Sequence, residues 1–177
     1  FTARRNTQHG GKDMSKGKVF GAAAALVFWV LAITASSFAD DAAKRKVLMD
    51  GVNYGVKVIE NKGKAALDEL KSYRFGDGTG YVYVTDMSAV VLMHPVAPEL
   101  VGKDCTAIKD AAGKYFGAEM KHKAHKTGSG WASYLWPNPA KNKQPELKCS
   151  YFKSANMGGT KVIVYAADFG ISEAGCN

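Results

Sequence analysis

Apolar and polar positions are most sharply patterned between Gly76 and Pro95, in the stretch GDGTGYVYVTDMSAVVLMHP. Tyr81 to Thr85 alternates aromatic and β-branched residues. A strand there puts Tyr81, Tyr83 and Thr85 on one face and Val82 and Val84 on the other. Asp86 to Ala89 reads as a turn, and Val90 to His94 as the returning strand, stopped by Pro95. Neither face of this hairpin is polar. Both sides are therefore expected to be covered, one by a helix and the other by loops or a ligand.

Upstream, the period changes. Leu48, Val52, Val56, Ile59, Gly63, Ala66, Leu70 and Tyr73 recur in steps of four and three, with Val47, Tyr54, Val58 and Ala65 widening the stripe. Asp40 and Asp41 are good capping residues, so one long helix is predicted from there to Tyr73. Part of its seam is expected on the sheet. The rest has two readings, more of the same packing or contact with a second copy of the helix. Gly51, Gly55 and Gly63 each cost about 1 kcal/mol in a helix interior, so tertiary packing must hold it.

Downstream of the hairpin the pattern predicts a loop over Val96 to Ile108 and a turn at Asp110 to Gly113. A short helix from Lys114 to Lys126 follows, with Phe116, Met120 and Ala124 inward. Trp131 to Trp136, Leu147 to Lys153 and Lys161 to Phe169 read as strands. They are separated by a polar loop from Pro137 to Pro145 and a turn at Asn156 to Thr160. One long helix, two strands, a short helix and three strands predict an antiparallel sheet in an α+β domain.

Composition changes this picture at the N-terminus. Residues 1–13 carry no apolar pattern and read as an upstream remnant. From Met14, the basic Lys16 and Lys18 precede an apolar run from Val19 to Ala35 and the small residues of Ser37-Phe38-Ala39. That is the layout of a signal peptide over 14–39, leaving one domain over 40–177 in the periplasm or outside the cell. The competing reading is an uncleaved anchor, because the run approaches the roughly 20 residues of a membrane span. Residues 1–39 hold five basic and one acidic side chains, so without them the net charge falls from +8 to +4. The remaining lysines are scattered and no basic stripe carries interleaved aromatics, which excludes nucleic acid as the expected partner.

Candidate chemistry is sparse. Cys105, Cys149 and Cys176 allow one disulfide and one free thiol. His122 and His125 stand three apart on the short helix, but Lys114, Lys121, Lys123 and Lys126 surround them and no acidic or cysteine partner accompanies them. They read as a solvated basic face, and neither a metal nor a cofactor is expected. No serine or histidine stands in the context of a nucleophile and its base, so an enzyme is not expected.

The segments FGDGTGYVYVTD, VVLMHP, LVGKD, KDAAGKYF, GWASYLWPNP and PELKCSYFK, in this order and followed by a closing apolar strand, resemble the single Cache domain of the second type found in bacterial extracellular sensors. The likeness runs from about the middle of the long helix to Phe169. It implies a PAS-like five-stranded antiparallel sheet with a long N-terminal helix, and a small-ligand pocket on one face. Family ligands are short organic acids such as acetate, propionate or pyruvate. Carried onto this sequence, the pocket set is Arg74, Tyr83, His94, Tyr134, Trp136 and Lys148. A cation for charge, Tyr and His for oriented hydrogen bonds and Trp for an apolar wall suit a small carboxylate. Each has a plainer reading: Tyr83 and Trp136 as core aromatics, His94 as a strand end, Lys148 as a solvated lysine. The family carries aliphatic residues where Cys105 and Cys149 stand, and the resemblance thereby implies that these two are paired.

Sensor members continue from the last strand into a second membrane helix and a signalling module, whereas only Gly170 to Asn177 follows here. The expectation is thus an exported Cache-domain protein that captures a small organic acid without its own output module, alone or for a membrane sensor partner. The alternatives are a dimerisation module built on the long helix, with a vestigial pocket, and an enzyme acting on a small carboxylate.

Overall fold

The runs that alternate in the sequence form one five-stranded antiparallel sheet. β1 (Tyr83–Asp86) and β2 (Val91–Met93) are the arms of the first hairpin, and β3 (Ser129–Asn138), β4 (Gln144–Met157) and β5 (Thr160–Phe169) follow. Across the sheet the order is β2-β1-β5-β4-β3, so the last strand lies in the middle. That position explains its composition: Val162 to Ala166 are buried without interruption, because a central strand has both faces covered. The structure, a computed structural model, describes Thr2 and residues 22–176, with side chains from Phe38 onward apart from Thr2. It divides into two units, Phe1–Ala35 and Ser36–Asn177. In the first, the backbone is helical from Ala22; the sheet and both cores belong to the second. The remnant expected at 1–13, Thr2 aside, and the expected leader as far as Gly21 lie outside the described residues. From Phe38 onward, no helix among the described residues is long and apolar enough to cross a membrane.

α1 (Ala22–Lys62) lays Leu48, Val52, Val56 and Ile59 on the sheet, in one cluster with Val82, Val84, Val162 and Val164. The predicted unbroken helix needs correction. α1 ends at Lys62, Gly63 adopts φ 59°, and after a 3-10 turn α2 (Ala66–Ser72) resumes. Glycine enters that left-handed region at little cost, so the break falls where the chain permits it. Ala66 and Leu70 still reach the same cluster, which is why the sequence spacing concealed the interruption. Val47 and Tyr54, expected in the stripe, are exposed. Asp40 and Asp41 do not cap the helix, since α1 runs through them. The Asp41 carboxylate instead accepts hydrogen bonds from the backbone N–H and hydroxyl of Ser172.

The other face is covered by α3 (Phe116–Thr127) and by the loop that joins it to β2. Phe116, Met120 and Ala124 point inward as expected, meeting Ala132, Tyr134, Phe152, Ile163 and Tyr165. The helix approaches the loop closely at Gly117, where a Cβ would lie 2.2 Å from the carbonyl oxygen of Cys105. The β3–β4 ladder is longer than predicted and extends through Pro137↔Pro145 to Asn138↔Gln144. Both prolines are tolerated because β3 is an edge strand and Pro145 lies beyond the last residue of β4 that pairs with β5.

The expected Cys105–Cys149 bridge is also overturned. Cys149 is bonded to Cys176 in the short C-terminal helix α4 (Glu173–Cys176), and Cys105 is free. Cys149 faces the α1 side of the sheet, in the same buried cluster as Cys176. Cys105 lies in the loop over the opposite face. The sheet separates the two side chains.

Candidate binding cavity

Alternation along the strands gives the second face a line of aromatic and polar side chains. Tyr81 and Tyr83 come from the first arm of the hairpin, His94 follows β2, Tyr134 and Trp136 come from β3, and Lys148 from β4. With Phe116 of α3 and with Leu100, Cys105 and Ile108 from the covering loop, they enclose a cavity of about 210 Å³. The walls are mostly rings. Phe116 and Tyr134 stack with centroids 4.1 Å apart, and Trp136 meets them edge-on at 5.5 and 6.0 Å. Tyr83 lies parallel to Tyr165 at 4.6 Å and stacks on His94 at 5.1 Å. A larger outer cavity of about 760 Å³ shares Tyr81, Val96, Pro139, Lys148 and Ala167 as walls, so Lys148 stands at the junction of the two.

The polar groups are few and each has a defined state. His94 accepts a hydrogen bond at Nδ1 from the backbone N–H of Ala97, 3.0 Å away. Burial, reinforced by the positive charge of Lys148, lowers its pKa to about 4, so the ring is neutral at ordinary pH. With Nδ1 accepting, the proton sits on Nε2, and the imidazole keeps one donor to offer. Lys148 lies between Tyr134 and Phe169 in the ladder, its Nζ 4.9 Å from the Phe169 ring centroid. Burial pulls its pKa below the usual lysine value, while the negative charge of Asp168 acts in the opposite sense. Among the described residues, Lys148 has no ion pair within 4.0 Å. Tyr134 is already engaged, its hydroxyl 3.0 Å from Ser150 Oγ. The thiol of Cys105 is pushed up to about 11 by burial and stays protonated, unsuited to act as a nucleophile.

Five of the six residues chosen from the sequence meet in this cavity: Tyr83, His94, Tyr134, Trp136 and Lys148. Arg74 does not. It is exposed beyond α2, and its Nη1 donates to the carbonyl oxygens of Lys71 and Tyr73. The Gly76 to Gly80 turn, with positive φ at Gly76 and Gly78, folds Phe75 back onto Gly80 and breaks the period-2 phase of the hairpin before Arg74 is reached. Tyr81 was missed although it shares a face with Tyr83, and Phe116 was read only as an inward core residue. Cys105, Leu100 and Ile108 come from an irregular loop that has no periodicity to read. His122 and His125 are exposed on α3, where His125 Nε2 lies 2.9 Å from the Met87 carbonyl oxygen. Among the described residues, no three His, Cys, Asp or Glu side chains converge on a metal position.

The profile of the Cache domain matches residues 56–159, which contain all five of these cavity residues. Over 88 residues, 50% of this chain, the sequence is 32% identical to the methyl-accepting chemotaxis protein McpP of Pseudomonas putida; the aligned stretch spans only 16% of that protein. A Cache chemosensory domain solved for the basis of its carboxylic acid recognition is 27% identical. It superposes with a TM-score of 0.61 over 72% of this chain and 94% of that domain. The periplasmic sensor domain of a chemotaxis protein is 25% identical, with a TM-score of 0.52 over 86% of this chain and 99% of that domain.

Proposed function

The chain belongs to the Cache-domain family, as a single sensor domain of the second type, and we propose that it captures a small monocarboxylate in the aromatic cavity. The observation that carries this reading is Lys148. A lysine is held largely out of water at the wall of an apolar cavity, and no carboxylate lies within ion-pair distance among the described residues. A charge in that setting is costly unless an anion joins it. Beside it, the Nε2–H of His94 and the hydroxyls of Tyr81 and Tyr83 supply the oriented donors that a carboxylate needs. Acetate, propionate, pyruvate and lactate form the first ligand set, in keeping with the neighbour that recognises carboxylic acids.

By the same reading, the domain works in the periplasm or outside the cell and passes its occupancy to a membrane sensor, as the chemotaxis relatives suggest. The exposed Phe38 and Met49, eleven residues and so about three turns apart on one face of α1, support a homodimer through that helix.

Thermal melting of the purified chain tests the ligand class, each acid being run beside its neutral amide. At a hundred times Kd, a ligand stabilises the folded state by about 2.7 kcal/mol, a shift of several degrees for a domain of this size. Acids should raise the melting point and amides should not, because an amide leaves the lysine without its counter-charge. Equal behaviour of acids and amides up to tens of millimolar would remove this function.

A further inference from the structure

We propose, resting on the acid-binding reading above, that the preferred ligand is a ring-bearing monocarboxylate of about benzoate size rather than a two- or three-carbon acid. The first ground is volume. The cavity holds about 210 Å³. An apolar cavity of about 150 Å³ stays dry and accepts one benzene. The roughly 60 Å³ left over is the liquid volume of about two waters, room enough for one carboxylate group. Acetate or propionate would leave much of the wall untouched. An unfilled gap beside an apolar wall forfeits the dispersion attraction of the atoms that line it.

The second ground is the character of the wall. Phe116 and Tyr134 stack, Trp136 stands edge-on to both, and Tyr83 stacks on His94. Such walls present ring faces and edges, against which a ligand ring gains more than its area alone provides. The third ground is charge. Lys148 is the one cation that lines the inner cavity among the described residues, while His94 is neutral. One cation matches one carboxylate, and a second acid group would have no partner. With the carboxylate at Lys148, on the wall shared with the outer cavity, the ring points inward among Phe116, Tyr134 and Trp136.

Isothermal titration of the purified chain with benzoate, propionate and benzamide tests the inference. Benzoate is expected to bind with a Kd about tenfold or more below that of propionate, since each further buried carbon strengthens binding severalfold. Benzamide should be weaker than benzoate by a similar factor. Propionate binding as tightly as benzoate, or more tightly, overturns the inference and leaves the acid-binding function standing. Failure of every acid overturns both. A variant reads size directly: Cys105→Leu adds bulk to the cavity wall without replacing Lys148. It should cost benzoate about tenfold or more while propionate binding persists, which also proves that the variant folds. Undiminished benzoate binding by Cys105→Leu would overturn the inference.

Discussion

Reduction of the Cys149–Cys176 disulfide should cost this domain about 3.5 kcal/mol at 25 °C. The two cysteines are 27 residues apart in the chain. For a closed loop of that size, the chain-entropy relation assigns about 3.5 kcal/mol to the restriction of the unfolded ensemble. Lys44 donates to the Gly170 carbonyl, Arg45 to that of Gly175 and Ser172 to the Asp41 carboxylate at the same end, but these ties are native-state contacts and none of them restricts the unfolded chain as the bridge does. Cys149 and Cys176 are fully buried in one apolar cluster with Ile171, so the reduced thiols stay in an environment that suits them. The loss is then mainly that of the covalent constraint. At roughly 3 °C per kcal/mol for a domain of this size, the melting point should fall by about 10 °C. Calorimetry with and without a thiol reductant measures it directly. Cys105→Ala, which removes the free thiol, should keep the same sensitivity to reductant, because Cys105 takes no part in the bridge. If oxidised and reduced protein melt within about 2 °C of each other, the bridge constrains nothing and the argument fails.

Three further outcomes follow from the cavity and its supports. His94 has a folded-state pKa near 4 against an ordinary 6.5, so as pH falls through that window the unfolded chain takes up a proton that the folded chain refuses. Stability attributable to His94 is therefore level above about pH 6.5 and is lost between 6.5 and 4; melting curves of wild type and His94→Gln should diverge over that interval, and parallel curves would contradict the assignment. Gly117→Ala should destabilise by about 1–3 kcal/mol, seen as a lower urea midpoint at unchanged slope, because the new methyl meets the Cys105 carbonyl oxygen at 2.2 Å. Lys148→Met should abolish the preference for acids over amides, while Arg74→Ala leaves it intact; loss of the preference in Arg74→Ala would return that residue to the site.

The fold was legible wherever burial imposes a period. Tyr81 to Thr85 alternates because one face meets α1 and the other the cavity, and the seam from Leu48 to Leu70 keeps its phase across the Gly63 break. What the pattern could not carry was the break itself, since a left-handed residue costs glycine little and leaves no trace in the apolar spacing. Arg74 was misplaced for a related reason: period-2 reasoning stops at the glycine-rich turn, so nothing fixed the direction of a residue before it. The cysteine error was different, for the sequence contained its own correction. Lys148 and Cys149 are neighbours on one strand and must face opposite sides of the sheet. A lysine in the cavity therefore puts its neighbour in the helix-side core, out of reach of a thiol that lines the cavity.

That same alternation makes core and site separate in chemistry though they share every strand. Val82, Val84, Cys149, Val164 and Ala166 build the face against α1, while Tyr83, Lys148 and Ala167, from the same strands, line the cavity. The helix-side face contains only groups that gain from leaving water. The cavity side contains a lysine that loses by it, with its pKa drawn down by burial and no carboxylate in ion-pair reach among the described residues. A fold selected for stability alone has no use for that lysine, since an apolar side chain of similar volume would pack the same wall without the desolvation cost. The proposed acid ligand would carry the missing charge: an anion in the cavity would relieve the penalty, and a neutral analogue of the same shape would not. On that proposal, occupancy and stability are tied to one residue, and Lys148→Met should uncouple them.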